Sequence, residues 1–364
     1  MKRKNVYLSL LIVCLSFGLI GSSIAESSDD LSNLTLEELI TKAKEEGHIE
    51  SVGMPEGWAA WERSWAAIET KYGITHNDVD MSSAEEIALF AAERNDPTKD
   101  IGDVGLGFAS VAIEEDVVQS FKPSTWDSIP DWAKDPEGRW IVSYTGTICF
   151  MVSETLTGGV VPTSWQELMD SDIIVSPGDV IRGASSQVAV LSCAIAMGGG
   201  FDNIQPGIDY FVELARAGRL DPGDITKDRL ATGEIQLISG RFDFDGVSYR
   251  DDIKAGNNPN INIVTLIPQD GAITTGYTLI FNKYSPRPHA TALAIEYLLS
   301  DEGQIDRAYG GARPIREVNL PDDIPLLPNS MYGNVTPVTD AGLLAKACGE
   351  ISRAWEEQVL PRIR

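Results

Sequence analysis

Residues 140–152 read W-I-V-S-Y-T-G-T-I-C-F-M-V and contain no charged side chain. This segment is too long and too apolar for a strand at the edge of a sheet, where short strands or charged residues are usual. A strand with both faces buried has this composition. We therefore predict that residues 140–152 form a strand that crosses from one lobe of the protein to another.

Helices and short apolar strands alternate on both sides of this segment, which is the pattern of a mostly parallel sheet wrapped by helices. Residues 272–281 are again strand-like and are suited to return the chain to the first lobe. The chain has 364 residues, more than the roughly 250 to 300 at which a single core stops growing. We therefore expect an α/β protein with two lobes.

An aromatic stripe follows the loop at residues 54–57. Its members are spaced three and four apart, which predicts one face of a helix that ends at Gly73. They are Trp58, Trp61, Trp65, Ile68 and Tyr72. Core packing explains most of the stripe, and only Trp58, in the predicted first turn beside the loop, is expected to face a ligand.

The amino terminus has the pattern of an export signal. A basic start at residues 2–4 precedes an apolar run at residues 6–20 and small residues at 23–25. The run is shorter than the roughly 20 residues of a spanning helix, and the residues before Cys14 do not suit a lipoprotein cleavage site. We predict that residues 1–25 are a cleaved signal peptide and that the mature protein is periplasmic or extracellular.

Composition excludes some functions and leaves others open. The chain carries 54 acidic and 29 basic residues, a formal charge of −25 at pH 7, so it should repel nucleic acids and anionic membranes. Cys149, Cys193 and Cys348 would remain after cleavage, and buried thiols are the simplest interpretation of this odd number. One disulfide among them is the alternative.

Signatures of catalysis and of metal binding are weak. Histidine occurs only at positions 48, 76 and 289, without a second ligand at metal-binding spacing. The sequence contains neither the G-x-S-x-G nucleophile motif nor the phosphate-binding G-x-x-x-x-G-K-[ST] motif. We predict a protein that is not an enzyme and needs neither a cofactor nor a metal ion.

Binding features are better represented. Ser82 and Ser83, like Ser185 and Ser186, stand where a strand gives way to a helix. Each pair could add hydroxyl groups to the free N–H groups of a helix start and so bind an anion. Helix capping alone is the alternative, because Ser82 with Glu85 forms a capping box whose acid would repel an anion.

A second candidate is the stretch R-F-D-F-D-G at residues 241–246. Asp243 and Asp245 beside Phe242 and Phe244 suit a cationic amine, through charge pairing and cation–π attraction. If the stretch is a strand, both acids point the same way and a metal ion is conceivable. A solvated turn is the third interpretation.

Several stretches together resemble the family 1 extracellular solute-binding proteins of ABC importers, the group that includes ferric-ion, polyamine, thiamine and phosphonate binders. The resemblance covers about residues 36–316. Its most specific part runs from residue 267 to 304 and ends in Y-L-L-S-D-E-G-Q, followed by G-A-R-P-I-R at residues 311–316. Weaker pieces are D-M-S-S-A-E-E-I at 80–87, P-T-S-W-Q-E-L at 162–168 and A-T-G-E-I at 231–235.

The resemblance implies a periplasmic-binding-protein-like fold of type II, in which two α/β lobes are joined by two crossing strands and enclose a ligand cleft. It places the first lobe at residues 26–147, the second at 148–267, and the return to the first lobe with the terminal helices at 268–364. The ligand-binding residues that it implies are Trp58, Ser82, Ser83, Gly105, Phe108, Tyr144, Thr145, Gly146, Thr147, Ser185, Ser186, Phe242, Asp243, Thr275 and Tyr277.

The resemblance further implies that the lobes close on a small charged solute and deliver it to a membrane permease, with the protein itself a monomer. An organophosphate, a phosphonate or a carboxylate is the favoured solute, and a polyamine-like or thiamine-like cation or ferric ion is the alternative. The adjacent tyrosine pair of ferric-ion binders has no counterpart here, and Phe242 stands where polyamine binders commonly have Trp. A secreted enzyme or a sensor-linked binding protein on the same fold is a further alternative.

Overall fold

The computed structural model describes residues 31, 33–256 and 261–363. The predicted signal peptide therefore lies outside the described residues, as does Cys14. Within the described ranges, no helix combines the length and the apolar character needed to cross a membrane.

Helices cover both faces of a central sheet. We number those of the described residues α1 to α12 in chain order. They are α1 (Leu36–Glu46), α2 (Trp61–Tyr72), α3 (Ser83–Ala92), α4 (Ala109–Glu114), α5 (Trp165–Met169), α6 (Ala184–Ala196), α7 (Gln205–Arg216), α8 (Lys227–Ala231), α9 (Asp243–Ala255), α10 (Pro288–Leu298), α11 (Asp301–Tyr309) and α12 (Ala341–Ala354). Short 3₁₀ turns, and a π-helical turn at Trp355–Val359, complete the helical structure described.

The strands of the described residues form one mixed sheet in the order β2-β1-β3-β8-β4-β6-β5, with β10 beside β8 and with β7 and β9 beside β4. They are β1 (His48–Val52), β2 (Thr75–Val79), β3 (Ile101–Gly105), β4 (Ile141–Ser153), β5 (Val175–Ser176), β6 (Leu237–Phe242), β7 (Ile263–Leu266), β8 (Ile273–Phe281), β9 (Arg313–Pro314) and β10 (Thr336–Pro337). Strands β1, β2 and β3 are parallel to one another, and β5 is parallel to β6. The expected mostly parallel sheet is thus interrupted by β4, which runs antiparallel to its partners, and by β8, which runs antiparallel to β3 and β4 and parallel to β10.

Strand β4 confirms the prediction of a long crossing strand. All of its 13 residues are buried, which explains the absence of charged side chains. Its first half, Ile141 to Thr147, pairs with β8, and its second half, Ile148 to Ser153, pairs with β6 and β7. One strand therefore belongs to both lobes.

Strand β8 returns the chain, as predicted for residues 272–281. It follows β7 and pairs with β3, with the first half of β4 and with β10. We call the part of the sheet built from β1, β2, β3, β8 and the first half of β4, with its helices, the first lobe. The part built from β5, β6, β7 and the second half of β4 is the second lobe. The exact boundaries at residues 147 and 267 stay predictions.

Local sequence signals explain the helix ends near the site. Thr35 and Glu38 form the capping box of α1, and Gly47 ends it in a left-handed conformation. Helix α2 ends at Gly73 in the same way. It begins at Trp61, however, so the prediction that Trp58 lies in its first turn is wrong.

The last helix lies against both lobes. Helix α12 packs on the turn at Leu106–Phe108 and on α4 of the first lobe, and on α6 of the second. The Ser352 hydroxyl donates a hydrogen bond to the Ile181 carbonyl at 3.0 Å. Cys348 in α12, like Cys149 and Cys193, is a buried free thiol.

Candidate ligand-binding cleft

A cavity of about 580 Å³ lies between the lobes, a volume typical of small-molecule sites. It is lined by the carboxyl ends of first-lobe strands and the helix starts that follow them. From the second lobe it receives the start of α6 and one face of α9. In open α/β sheets, ligands bind at this end of the strands.

Trp58 enters the cavity from a loop with an unusual backbone. Ala59 and Ala60 both adopt left-handed conformations, with φ of 45° and 53°, which are uncommon for residues other than glycine. The Ala59 backbone packs directly on Gly310, where a Cβ atom would collide with it. The position of Trp58 therefore depends on a backbone conformation that the alanine residues of this loop do not predict.

A hydrogen-bond chain connects Trp58 to a buried acid. The indole Nε1 of Trp58 donates to the Tyr144 hydroxyl at 2.8 Å, and that hydroxyl donates to Oδ2 of Asp103 at 2.5 Å. Trp58 also makes edge-to-face contacts with Phe244 and Tyr277, with ring centroids 5.0 and 5.5 Å apart. Tyr144 is therefore a support under the cavity rather than part of its lining.

The first-lobe wall is acidic. We use this name for the first-lobe residues that line the cavity. Its carboxyl groups belong to Glu56, Asp80, Glu86 and Asp103, and no lysine or arginine is among the described residues that line the cavity from this lobe. An uncompensated set of carboxylates in a cleft is electrostatically costly.

Asp103 and Glu86 are the most buried members of this wall. Each is only 1% exposed. Burial raises the pKa of Asp103 to about 8 and the pKa of Glu86 well above its usual range. Glu86 accepts a hydrogen bond from the Asp103 N–H at 2.9 Å, whereas Oδ1 of Asp103 has no hydrogen-bond partner among the described residues. Burial is the largest cause of both shifts, and the charge of Arg307 opposes the shift of Asp103.

Two glycines make room for Glu86. A Cβ atom at Gly53 or at Gly102 would collide with the Glu86 carboxyl group. Gly53 also has a φ of 70°, which favours glycine. The absence of side chains at these two glycines therefore leaves room for the buried Glu86 carboxyl group beside the cavity.

The second-lobe residues that line the same cavity form the second-lobe wall. This wall also carries acids, but most of them have a basic partner. Arg182 pairs with Asp179 at 2.6 Å, Lys227 pairs with Asp252 at 2.6 Å, and Arg241 lies 3.2 Å from Asp245. The remaining acid, Asp224, is exposed. Charges on this wall therefore nearly balance.

Arg241 lines the cavity beside Trp58. Its guanidinium group lies 5.7 Å from the centroid of the Trp58 ring and donates to the Ile225 carbonyl at 3.2 Å. Tyr249 is within hydrogen-bonding reach of it. Burial raises the pKa of the neighbouring Asp245 to about 7, although the charge of Arg241 opposes this shift.

The two serine pairs both reach the cavity but differ in role. Ser82 caps α3 and forms the predicted box with Glu85, whose carboxylate accepts from the Ser82 N–H at 3.0 Å. Ser83 accepts a hydrogen bond from the Gly105 N–H at 3.1 Å. Helix α6 begins at Ala184, after Gly183, and no side chain caps it, so Ser185 and Ser186 lie in its first turn.

The structure brings together six of the residues that the resemblance implied. Those lining the cavity are Trp58, Ser82, Ser83, Ser185, Ser186 and Tyr277. A narrow apolar space beside α12 is lined by four others, Gly105, Phe108, Phe242 and Thr275. Tyr144, Thr145, Gly146 and Thr147 lie in β4. Which of these residues contact a solute stays a prediction.

Asp243 and Asp245 do not lie on a strand, which corrects one of the three interpretations of residues 241–246. They occupy the first turn of α9. Asp243 accepts hydrogen bonds from the Thr147 N–H at 2.9 Å and from the Tyr332 hydroxyl, so it fastens α9 to β4. Asp245 lines the cavity.

Metal-binding geometry is absent from the part of the chain that the structure describes. No group of three or more histidine, cysteine, aspartate or glutamate side chains there could hold a metal ion.

Sequence reasoning gave no role to several residues that shape the cleft. Asp80, Glu86, Asp103 and Arg241 are the main ones. Asp103 left a signal, because it is the only charged residue in the buried strand I-G-D-V-G at 101–105. A charged residue in such a strand needs an explanation.

Two contacts cross the mouth of the cleft. Arg182 of the second lobe pairs with Glu85 of the first at 2.6 Å. The Ser248 hydroxyl donates to the Gly57 carbonyl at 3.0 Å. The lobes are therefore held near each other on either side of the cavity.

Two α/β lobes joined by crossing strands around a polar cleft define a class of protein, the solute-binding proteins that close over a small ligand. The sequence agrees, because residues 96–332, more than half of the chain, match the family model described as bacterial extracellular solute-binding protein. The chain belongs to this family. Its members are exported, bind a small molecule and serve a membrane permease.

Solved structures share the fold at low sequence identity. The apo ferric ion-binding protein A of Pasteurella haemolytica has a TM-score of 0.67 and 14% identity, over 85% of this chain and 97% of that one. AfuA of Actinobacillus pleuropneumoniae, with fructose-6-phosphate bound, has a TM-score of 0.67 and 17% identity, over 85% and 98%. Iron-bound HitA of Pseudomonas aeruginosa has a TM-score of 0.66 and 16% identity, over 84% and 98%. Among curated proteins, no significant match is found.

Proposed function

We propose that this protein is the monomeric, exported binding component of an ABC importer and that it captures a small solute carrying a protonated amine. The observation that carries the proposal is the first-lobe wall, where four carboxyl groups line the cavity without a lysine or arginine. An ammonium group is the ligand that would compensate them.

The buried acids support this choice. Asp103 and Glu86 have raised pKa values because burial penalises their charged forms. A bound cation would favour those charged forms and offset the penalty. Trp58 and Tyr277 add aromatic surfaces beside the acids, and aromatic rings attract cations.

An anionic solute, which the sequence favoured, fits this wall less well. The start of α3 could attract an anion, but the Glu85 carboxylate already accepts from the Ser82 backbone and hydroxyl there, at 3.0 and 2.8 Å. A phosphate group would also meet Asp80 and Asp103. The wall therefore favours the cationic alternative over an organophosphate or a phosphonate.

Capture should leave the solute unchanged. Closure of the lobes would exclude water, strengthen the polar contacts and present a changed surface to the permease. The experiment is a thermal-shift screen of the mature protein with aliphatic amines, amino acids, organic phosphates, phosphonates, carboxylates, thiamine and ferric ion. A ligand that binds only the folded state raises the melting temperature.

We expect melting temperatures to rise with solutes that carry an ammonium group and to stay constant with phosphates. A shift with phosphates alone would overturn the proposed solute class. Disappearance of the solute during incubation would instead favour the secreted enzyme.

A further inference from the structure

We propose that the solute is a zwitterion, with a carboxylate that binds Arg241 and the start of α6 while its ammonium group binds the first-lobe wall. This inference rests on the proposed function, which accounts only for the ammonium group. It names the second pole of the solute and a residue that determines specificity.

The two walls of the cavity differ in charge compensation. Three acids of the second-lobe wall have basic partners within 3.2 Å. None of the first-lobe acids has such a close basic partner among the described residues, although the charge of Arg241 acts on Asp80 and that of Arg307 on Asp103 at longer range. A molecule with one ammonium group and one carboxylate would therefore orient itself, with the ammonium group on the first lobe.

Arg241 has donors to spare for a carboxylate. Its guanidinium group carries five N–H donors in a planar fork that matches a carboxylate. The Ile225 carbonyl takes one of them, the Nε atom lies 3.2 Å from Oδ2 of Asp245 without hydrogen-bond geometry, and Tyr249 is within hydrogen-bonding reach of the group. Asp245 is 1% exposed and lies beside it, and its Oδ2 atom also lacks a hydrogen bond within the described ranges.

The start of α6 supplies further donors. The first N–H groups of a helix have no partner inside the helix. No side chain caps α6, and its first turn contains no acidic residue, whereas the first turn of α3 contains Glu85 and Glu86. Of the two helix starts at the cavity, α6 is therefore the one that suits an anion.

Trp58 lies between the two poles. Arg241 lies over its ring, and its indole nitrogen is linked through Tyr144 to Asp103. The methylene groups of the solute would pack against this ring, because an apolar spacer joins its charged ends. The arrangement therefore fits an ω-amino acid with a short aliphatic chain.

The test compares solutes that differ only at their ends, by titration calorimetry. The probes are α,ω-diamines, ω-amino acids and dicarboxylates with three to six carbons, among them 1,5-diaminopentane, 5-aminopentanoate and pentanedioate. They are titrated into the wild-type protein and into the variants Arg241→Met and Arg241→Lys. Melting temperatures of the free variants report whether each variant is folded.

We expect the wild-type protein to bind the best ω-amino acid at least tenfold more tightly than the diamine of the same length. Arg241→Met should reverse this ratio, because it loses the partner of the carboxylate and also a charge that repels the second ammonium group. Arg241→Lys should restore part of the ratio, since it keeps the charge but not the planar fork. A merely structural role of Arg241 would weaken both probes alike.

Two other results separate this inference from the proposed function. If diamines bind as tightly as ω-amino acids and Arg241→Met leaves the ratio unchanged, the inference fails and the proposed function stands. If only dicarboxylates bind, both fail. If none of the probes binds, the inference fails, and the thermal-shift screen decides the proposed function.

Discussion

The first-lobe and second-lobe walls of the cleft each contribute four carboxyl groups to the same cavity. On the second lobe, Arg182, Lys227 and Arg241 offset three of them. On the first lobe, no acid has such a close partner among the described residues, and burial raises the pKa of the two deepest, although the charge of Arg307 opposes this shift at Asp103. Two walls with the same number of acids can therefore bind opposite ends of one solute, because ion pairs with basic residues decide the local charge of each wall.

The largest effect expected from this difference is a pH dependence of stability. Asp103 has a pKa of about 8 in the folded protein and about 3.9 when unfolded. Between these values the folded state binds more protons than the unfolded state, so the free energy of unfolding falls as pH rises. The contribution of Asp103 is complete below about pH 4 and is lost by about pH 8.

The variant Asp103→Asn should remove the part of this slope that Asp103 contributes. We expect the wild-type protein to lose several kcal/mol more than the variant between pH 4 and pH 8. Denaturant unfolding at a series of pH values measures the difference. The same variant of exposed Asp224 is the control and should follow the wild type. If the free energy of unfolding changes equally with pH in the wild type and in Asp103→Asn, burial does not raise the pKa of Asp103.

The next effect concerns affinity for the amine. Asp103→Asn should weaken binding of an ω-amino acid about 10- to 100-fold, which is the usual value of a hydrogen bond to a charged group. Asp224→Asn, on the other wall of the same cavity, should change it less than about threefold, because solvent screens an exposed charge. Calorimetric titration gives both values. Similar losses in the two variants would mean that total acidity, and not its distribution, attracts the solute.

The sequence predicted the fold because the decisive elements carry their own signals. A strand buried on both faces must be apolar over its whole length, and β4 is. The capping box at Thr35 and the left-handed Gly47 likewise mark α1 without reference to any distant residue. Such signals are local, so one sequence is enough to read them.

The cleft depended on contacts that the sequence does not encode locally. Trp58 keeps the spacing of the helical stripe but lies in a loop, because Ala59 and Ala60 adopt a conformation that alanine rarely takes. Asp245 faces the cavity because the chain turns into α9 directly after β6. The difference in charge between the two walls depends on which residues of both lobes line the cavity, so no local sequence pattern predicts it.

The smallest effect is expected at the mouth of the cleft. Arg182→Ala removes the ion pairs with Glu85 and with Asp179, but all three side chains are about a third to a half exposed, so each pair contributes at most about 1 kcal/mol. We expect unchanged stability and a small shift towards an open form, seen as a larger radius of gyration in small-angle X-ray scattering without solute. Saturating solute should restore the closed value. A large loss of solute affinity in this variant would place Arg182 inside the site instead.

The most direct test of the central claim is a calorimetric titration of the wild-type protein at pH 7 with 5-aminopentanoate and, separately, with inorganic phosphate. The amine should bind, and it should release protons, because its charge lowers the pKa of Asp103 below about 8. Buffers of different ionisation enthalpy reveal that release. Phosphate should give no binding heat. Binding of phosphate with no response to the amine would contradict the account.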